Sequence, residues 1–190
     1  MAKIGLTNIW YGHLTEGVDG TPSYAGALSF GKAISCGVEV NNNEATLYAD
    51  DALAESDTSF NNGTMTLGVD EDSDVVFADV LGHEVDESTG AVVKTSTDVA
   101  PYVGVGRVIT KMVNGLYKYK AEFIYKIKFA EPSAEDATKG ESVEFATPEI
   151  EGAISALADN KGTWCTTKTF DSKADAVAFI KGILGENTSL

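Results

Sequence analysis

Hydrophobic and polar residues alternate from Lys3 to Tyr11, where Ile4, Leu6 and Ile9-Trp10 stand among polar or small neighbours. A period of two predicts a strand. From His13 to Gly31 the pattern gives way to Gly, Thr, Ser and Pro22, which predicts a long loop. Strand-like segments follow at residues 33–40, 45–48 and 64–69. Between the last two, Ala49 to Gly63 is acidic and Asn-rich with little to bury, which predicts a long exposed loop. Asp72-Ser73-Asp74 precede Val75, Val76, Phe77, Val80 and Leu81. This order predicts a short helix with polar caps and acidic residues at its N-terminus, stopped by Gly82.

The longest pattern runs from Tyr102 to Phe129. Asn114-Gly115 separates two alternating runs and predicts a tight hairpin. Strict alternation in the second run places Tyr117, Tyr119, Ala121, Phe123, Tyr125, Ile127 and Phe129 on one face. Lys118, Lys120, Glu122, Ile124, Lys126 and Lys128 fall on the other. Val143, Phe145 and Ile150 predict a further strand interrupted at Pro148, and residues 154–157 and 163–170 predict short ones. Ser172 then caps a helix whose apolar stripe is Val177, Ile180 and Leu184 and which ends at Gly185. A soft boundary falls near Gly152, dividing a β domain at 1–152 from a strand and helix extension at 153–190.

The chain has 190 residues, enough for one domain with a sizeable core. No stretch has the ~20 apolar residues of a membrane span, and the N-terminus lacks a signal-peptide core. Cys36 and Cys165 are too few and too far apart for a disulfide framework or a zinc signature, so both are expected as reduced thiols.

Net charge is −15, unevenly spread. No Lys or Arg occurs between Lys32 and Lys94, while basic residues gather at Arg107, Lys111, Lys118, Lys120, Lys126 and Lys128. Solvated charge explains such a surface. So does attraction between acidic and basic faces of neighbouring copies, for which Lys118, Lys120, Lys126 and Lys128 are the candidate basic face.

Signals for chemistry are weak. Counted from Asp70, an EF-hand would need Gly and Glu where Val75 and Leu81 stand. Gly104-Val105-Gly106 lacks the third glycine of a dinucleotide fingerprint and lies in a strand-like run. His13 and His83 have no recognisable ligand spacing, and no nucleophile elbow or phosphate loop occurs. A carboxylate pair for hydrolysis stays open, because acidic residues are abundant. In strict alternation the aromatics point away from the lysines, which speaks against nucleic-acid binding on that strand. No catalytic, cofactor or metal site is expected, and the chain is read as no enzyme.

Several short segments, in order and spacing, resemble the major tail proteins of long-tailed siphophages. They are Ala2-Lys3-Ile4-Gly5-Leu6-Thr7-Asn8-Ile9-Trp10-Tyr11, Ala45-Thr46-Leu47-Tyr48-Ala49-Asp50-Asp51 with Glu55 beyond, and Leu81-Gly82-His83 with Gly90. Asp98-Val99-Ala100-Pro101-Tyr102-Val103 and Lys139-Gly140-Glu141-Ser142-Val143-Glu144-Phe145 complete the set. The resemblance covers the chain to about Gly152. It implies a mainly β tail-tube fold of two packed sheets, a sandwich or flattened barrel, with a short flanking helix and a C-terminal helix. It also implies hexameric rings of the chain stacked into a tube in the virion tail, assembled in the bacterial host cytoplasm. The implied partners are the tape measure, tail terminator and distal tail or baseplate proteins, with DNA passing through the lumen during ejection without specific binding. An acidic lumen suits that passage, because it offers phosphates no deep minimum. In the related proteins a loop at residues 49–63 reaches the next ring. Here Leu53 and Phe60 would bury against a neighbour, and Asp50, Asp51, Glu55 and Asp57 would meet basic groups. The inner tube of a contractile injection system, or a β-sandwich binding or enzymatic domain, are the other readings.

Overall fold

The computed structural model describes residues 2–49, 52–70, 74–133 and 147–186. Among the described residues, ten strands and two helices occur in the order β1 (Ala2–Glu16), β2 (Pro22–Ser29), β3 (Ala33–Ala49), β4 (Ala52–Val69), α1 (Asp74–Leu81), β5 (Glu84–Val85), β6 (Val92–Val93), β7 (Val103–Val113), β8 (Leu116–Phe129), β9 (Glu149–Ile154), β10 (Cys165–Phe170) and α2 (Lys173–Ile183). The chain is mainly β, as its alternating patterns predict. Eight strands form one antiparallel sheet in the order β2-β1-β7-β8-β9-β4-β3, with β10 on β8, while β5 and β6 make a separate ribbon. Hydrogen-bonded neighbours join these eight strands into one large antiparallel sheet. Long β8 makes this connection, pairing with β10 along residues 119–124 and with β9 along 127–129.

That sheet folds back on itself. Arg107 on β7 donates from Nη1 to the Cys36 carbonyl on β3 at 2.8 Å, although three strands separate β7 from β3 in the sheet order. The space enclosed holds the larger core: Ile9 and Tyr11 of β1, Met65, Leu67 and Val69 of β4, Val103 and Val105 of β7, and Ile124, Ile127 and Phe129 of β8, closed by Phe77, Val80 and Leu81 of α1. A second core lies on the opposite face of β7 and β8. There α2 lays Ala176, Ile180 and Leu184 over Val108, Ala121 and Phe123.

Strict alternation along β8 therefore does not hold. Ala121 and Phe123 belong to the α2 core, whereas Ile127 and Phe129 belong to the inner core. The register explains this: Val105 pairs with Ile124 but Val103 with Ile127, so β8 carries an extra residue there. Such a bulge exchanges the two faces of everything beyond it.

Other expectations divide in the same way. Asn114 (φ 50°) and Gly115 (φ 80°) make the hairpin turn that Asn-Gly predicts. Gly82 (φ 76°) follows α1, and the Ser172 side chain accepts from the Ala174 amide to cap α2. The stretch 13–31 is not a long loop, since β1 runs to Glu16 and β2 pairs with it from Pro22. The stretch 49–63 is not a loop either: β4 begins at Ala52. In both, the backbone is paired while most of the described side chains are exposed, so no apolar alternation marks the strand. Residues 155–157 lie outside any strand, and the last sheet strand begins at Cys165. The helix caps expected at Asp72 and Ser73, and Val143 and Phe145 of the expected strand, lie outside the described residues.

Gly104-Val105-Gly106 gains a packing role. A Cβ on Gly106 would sit 2.3 Å from Ile180 Cγ2, and one on Gly104 would sit 2.4 Å from the Tyr24 ring. Strand glycines here admit a close neighbour. Gly106→Ala should cost about 1–3 kcal/mol by pushing α2 off the sheet, measured as a lowered midpoint in urea unfolding.

Candidate functional site

The feature that departs most from a closed fold is the β3–β4 ribbon. The two strands pair from Ala33 with Val69 out to Ala49 with Ala52. Only residues 63–68 of β4 pair with β9. Beyond Gly63, among the described residues, the ribbon has no further strand on either side. At ~3.3 Å per residue the unsupported part is roughly 30 Å long. Its sequence suits water: Asn41, Asn42, Asn43, Glu44, Ser56, Thr58 and Ser59 are exposed, and Asn41 Nδ2 donates to Asn62 Oδ1 at 2.8 Å across the strands.

The residues expected to contact a neighbour fall on this ribbon. Leu53, Glu55 and Asp57 belong to β4, in register with Tyr48, Leu47 and Ala45. Asp50 and Asp51 lie outside the described residues. Phe60 stacks on Trp164 of its own chain, with ring centres 4.8 Å apart and planes 4° from parallel. Phe60 thus anchors the ribbon's root.

The expected basic face divides. Lys120 precedes the β8 bulge, and its Nζ donates to Glu122 at 2.7 Å. Lys126 and Lys128 follow it; Lys126 pairs with Glu16, and both lie over the Tyr102 ring. Lys118 pairs with Asp171. Three of the four lysines are therefore matched by carboxylates of the same chain, and the bulge keeps the four off one common face. Sequence reasoning treated the stripe as continuous because a bulge leaves no mark in side-chain alternation.

Two polar clusters went unseen in the sequence. Arg107 and Glu122, directly opposite on β7 and β8, form an ion pair with side chains only 9% and 12% exposed, and Arg107 Nε donates to Glu122 at 2.7 Å. Arg107 is the lone basic residue in an apolar strand run, and that was the available signal. The second cluster sits beneath α1. His83 donates from Nδ1 to Asp98 at 2.6 Å and from Nε2 to Glu131 at 2.9 Å, and Lys94 pairs with Glu131. These groups, with Thr95, Leu81, Ala100 and Phe129, line an open cavity of about 450 Å³.

The electrostatics of this cluster are those of a structural clasp. The hydrogen bonds to Asp98 and Glu131 raise the His83 pKa above its ordinary value. The Thr95 hydroxyl and amide, and then His83, hold Asp98 down to about 2. An imidazolium with both nitrogens bonded offers no lone pair to a substrate proton. Because the folded pKa is raised, the clasp contributes fully below the unfolded value near 6.5 and is lost as pH rises through the folded one. Thermal melts from pH 6 to 9 should show stability falling over this window in the parent, and a flatter profile in His83→Gln.

A similar arrangement occurs at His13, whose Nε2 lies 3.0 Å from Asp79, which also accepts from the Tyr11 hydroxyl at 2.8 Å. Cys36 and Cys165 are free thiols. Among the described residues no helix is long and apolar enough to cross a membrane. No protein-family model matches this chain, and no curated protein matches it.

Proposed function

We propose that this chain is a structural subunit of a phage tail tube, polymerising as hexameric rings stacked around a lumen for DNA. One observation carries the reading: the eight-stranded sheet is left open at both ends. Among the described residues, β2 and β3 each pair on one side only, and β3 is 17 residues long. Exposed strand edges template pairing with another chain, and folds that stay monomeric cover or blunt them. A long edge with no strand beyond it among the described residues, together with a projecting ribbon, suits a subunit whose edges close against copies of itself. A head-to-tail ring uses two different surfaces on each subunit, as β2 and β3 provide. The ordered family-like segments supply the tail context and the ring number of six.

In this reading the ribbon replaces the expected contact loop and reaches a neighbouring subunit. The −15 charge keeps DNA sliding through the lumen without a holding site. The lysines of β8 do not dominate the surface, since three of them pair with Glu16, Glu122 and Asp171 of the same chain. The chain does no catalysis. Its partners are its own copies, the tape measure protein, the terminator and the distal tail proteins. The inner tube of a contractile injection system would make the same demands on the sheet edges.

Sedimentation velocity across protein concentration and salt tests the reading. Large assemblies should grow with concentration, and ring contacts between charged surfaces should weaken as salt shortens the ~10 Å screening length at 0.1 M. A single slow species at every concentration and salt would contradict it.

A further inference from the structure

We propose that Lys3, Lys111 and Lys118 form the dock for the acidic β3–β4 ribbon of a second copy of this chain, the two copies lying side by side. This rests on the tube-subunit reading and gives it a named contact. Lys3 pairs in register with Lys111, and Lys111 with Lys118, so three ammonium groups stand in a row across β1, β7 and β8. Like charges directly opposite destabilise a sheet. Among the described residues only Lys118 has a carboxylate partner, Asp171, which is itself 83% exposed; Lys3 and Lys111 have no ion pair. A chain with 29 carboxylates leaves this row largely unmatched. On the same face Leu116, two residues from Lys118, is exposed, while Met112 and Tyr117, the register pair next to Lys111 and Lys118, are exposed on the opposite face of this tip. Exposed apolar side chains beside unmatched charge mark an interaction surface.

The ribbon is the complementary element. It carries Glu44, exposed and without an ion-pair partner among the described residues, and further along the sequence Glu55 and Asp57. No Lys or Arg lies anywhere from residue 33 to 93 to offset them. Position selects the side-by-side arrangement. Gly63 of β4 and Ile127 of β8 both pair with Ile154, so they stand level in the sheet. From there the ribbon back to Ala52 and β8 back to Leu116 run in the same direction for the same number of residues. The ribbon tip and the lysine row therefore share one end of the subunit at one height. Copies set side by side in one orientation bring the ribbon of one against the row of the next. Stacking along the strands would carry the ribbon to the opposite end instead. Nucleic acid is the less fitting occupant, since phosphates would have to approach the row through a −15 chain.

Two charge-reversed variants test the dock: Lys3→Glu/Lys111→Glu/Lys118→Glu, and Glu44→Lys/Glu55→Lys/Asp57→Lys. Each alone should raise the concentration at which the chain assembles by about tenfold or more, since facing like charges repel. An equal mixture should restore parental assembly. Zero-length carbodiimide coupling of mixed isotope-labelled parent should join Lys111 to a ribbon carboxylate of the other copy. If the lysine variant fails to fold, the Lys→Gln triple variant and the same coupling give the answer. A lysine variant that assembles like the parent overturns the dock and leaves the tube reading standing. So does rescue that requires both sets of changes in one chain, which would place the contact within a subunit. Loss of binding to a short DNA duplex with assembly unchanged would also overturn it. A parent that stays monomeric and gives no interchain coupling overturns both readings.

Discussion

Replacing Arg107 with alanine should lower the stability of the subunit by about 3–5 kcal/mol, the usual cost of removing one partner of a buried ion pair. For a chain of this size that is a fall in melting temperature of roughly 10 °C. Arg107 lies on β7, faces the inner core and holds two layers together, through Glu122 beside it and the Cys36 carbonyl across the fold. Without it the Cys36 carbonyl loses a donor, and Glu122 keeps only Lys120. Replacing both partners by apolar residues, Arg107→Met with Glu122→Leu, should cost less than the single change, because no buried charge is stranded. Burial pushes the Glu122 carboxyl up, but the Lys120 hydrogen bond and the Arg107 charge outweigh it and hold the pKa below its ordinary value. A depressed folded pKa contributes stability above the unfolded value near 4.5, lost as pH falls through the folded one. Urea unfolding from pH 3 to 7 should therefore show a smaller loss of stability with acid in Arg107→Ala, where burial is left less opposed and the folded pKa moves up toward or past the unfolded one. Equal acid profiles in parent and variant would contradict this account of the pair.

Removing the ribbon should abolish assembly while leaving a folded chain. Asn41 and Asn62 are partners in β3 and β4, so deleting residues 42–61 and joining the two with Asn-Gly makes a short hairpin that keeps the β4–β9 pairing. The variant loses the Phe60–Trp164 stack, worth about 0.5–1.5 kcal/mol beyond the area it buries. Circular dichroism should show an intact fold with a modestly lowered melting point. Sedimentation should show monomer at concentrations where the parent assembles. Full-length tubes from the shortened chain would remove the ribbon from any role in holding subunits together.

Elements with periodic apolar residues were legible in the sequence. β1, the β7–β8 hairpin and both helices follow from alternation, from Asn114-Gly115 and from Ser172, because one face of each meets a core. The ribbon was legible as strand only in part: residues 45–48 of β3 follow from their alternation, whereas the β4 side from Ala52 to Asn62 read as a loop. Among its described residues, Asn41 to Glu44, Ser56, Thr58 and Ser59 are exposed, so no core selects apolar residues at every second position there, and apart from Phe60 at the root the pairing of the two strands holds it. The β2 strand escaped for the same reason: most of its side chains are exposed. The two faces of β8 were read correctly only up to the bulge near Tyr125, since an inserted residue costs no change in residue type. Of the candidate site, the acidic stretch and its location could be read. The Lys3–Lys111–Lys118 row could not, because it joins three strands whose register sequence does not reveal.

The most direct test is electron microscopy of the purified chain at high concentration, with helical reconstruction of whatever forms. The expected result is rings of six subunits stacked into hollow tubes, with strands of neighbouring copies closing the β2 and β3 edges. Dispersed monomers at every concentration would contradict the central claim, and tubes of another ring number would contradict the hexamer.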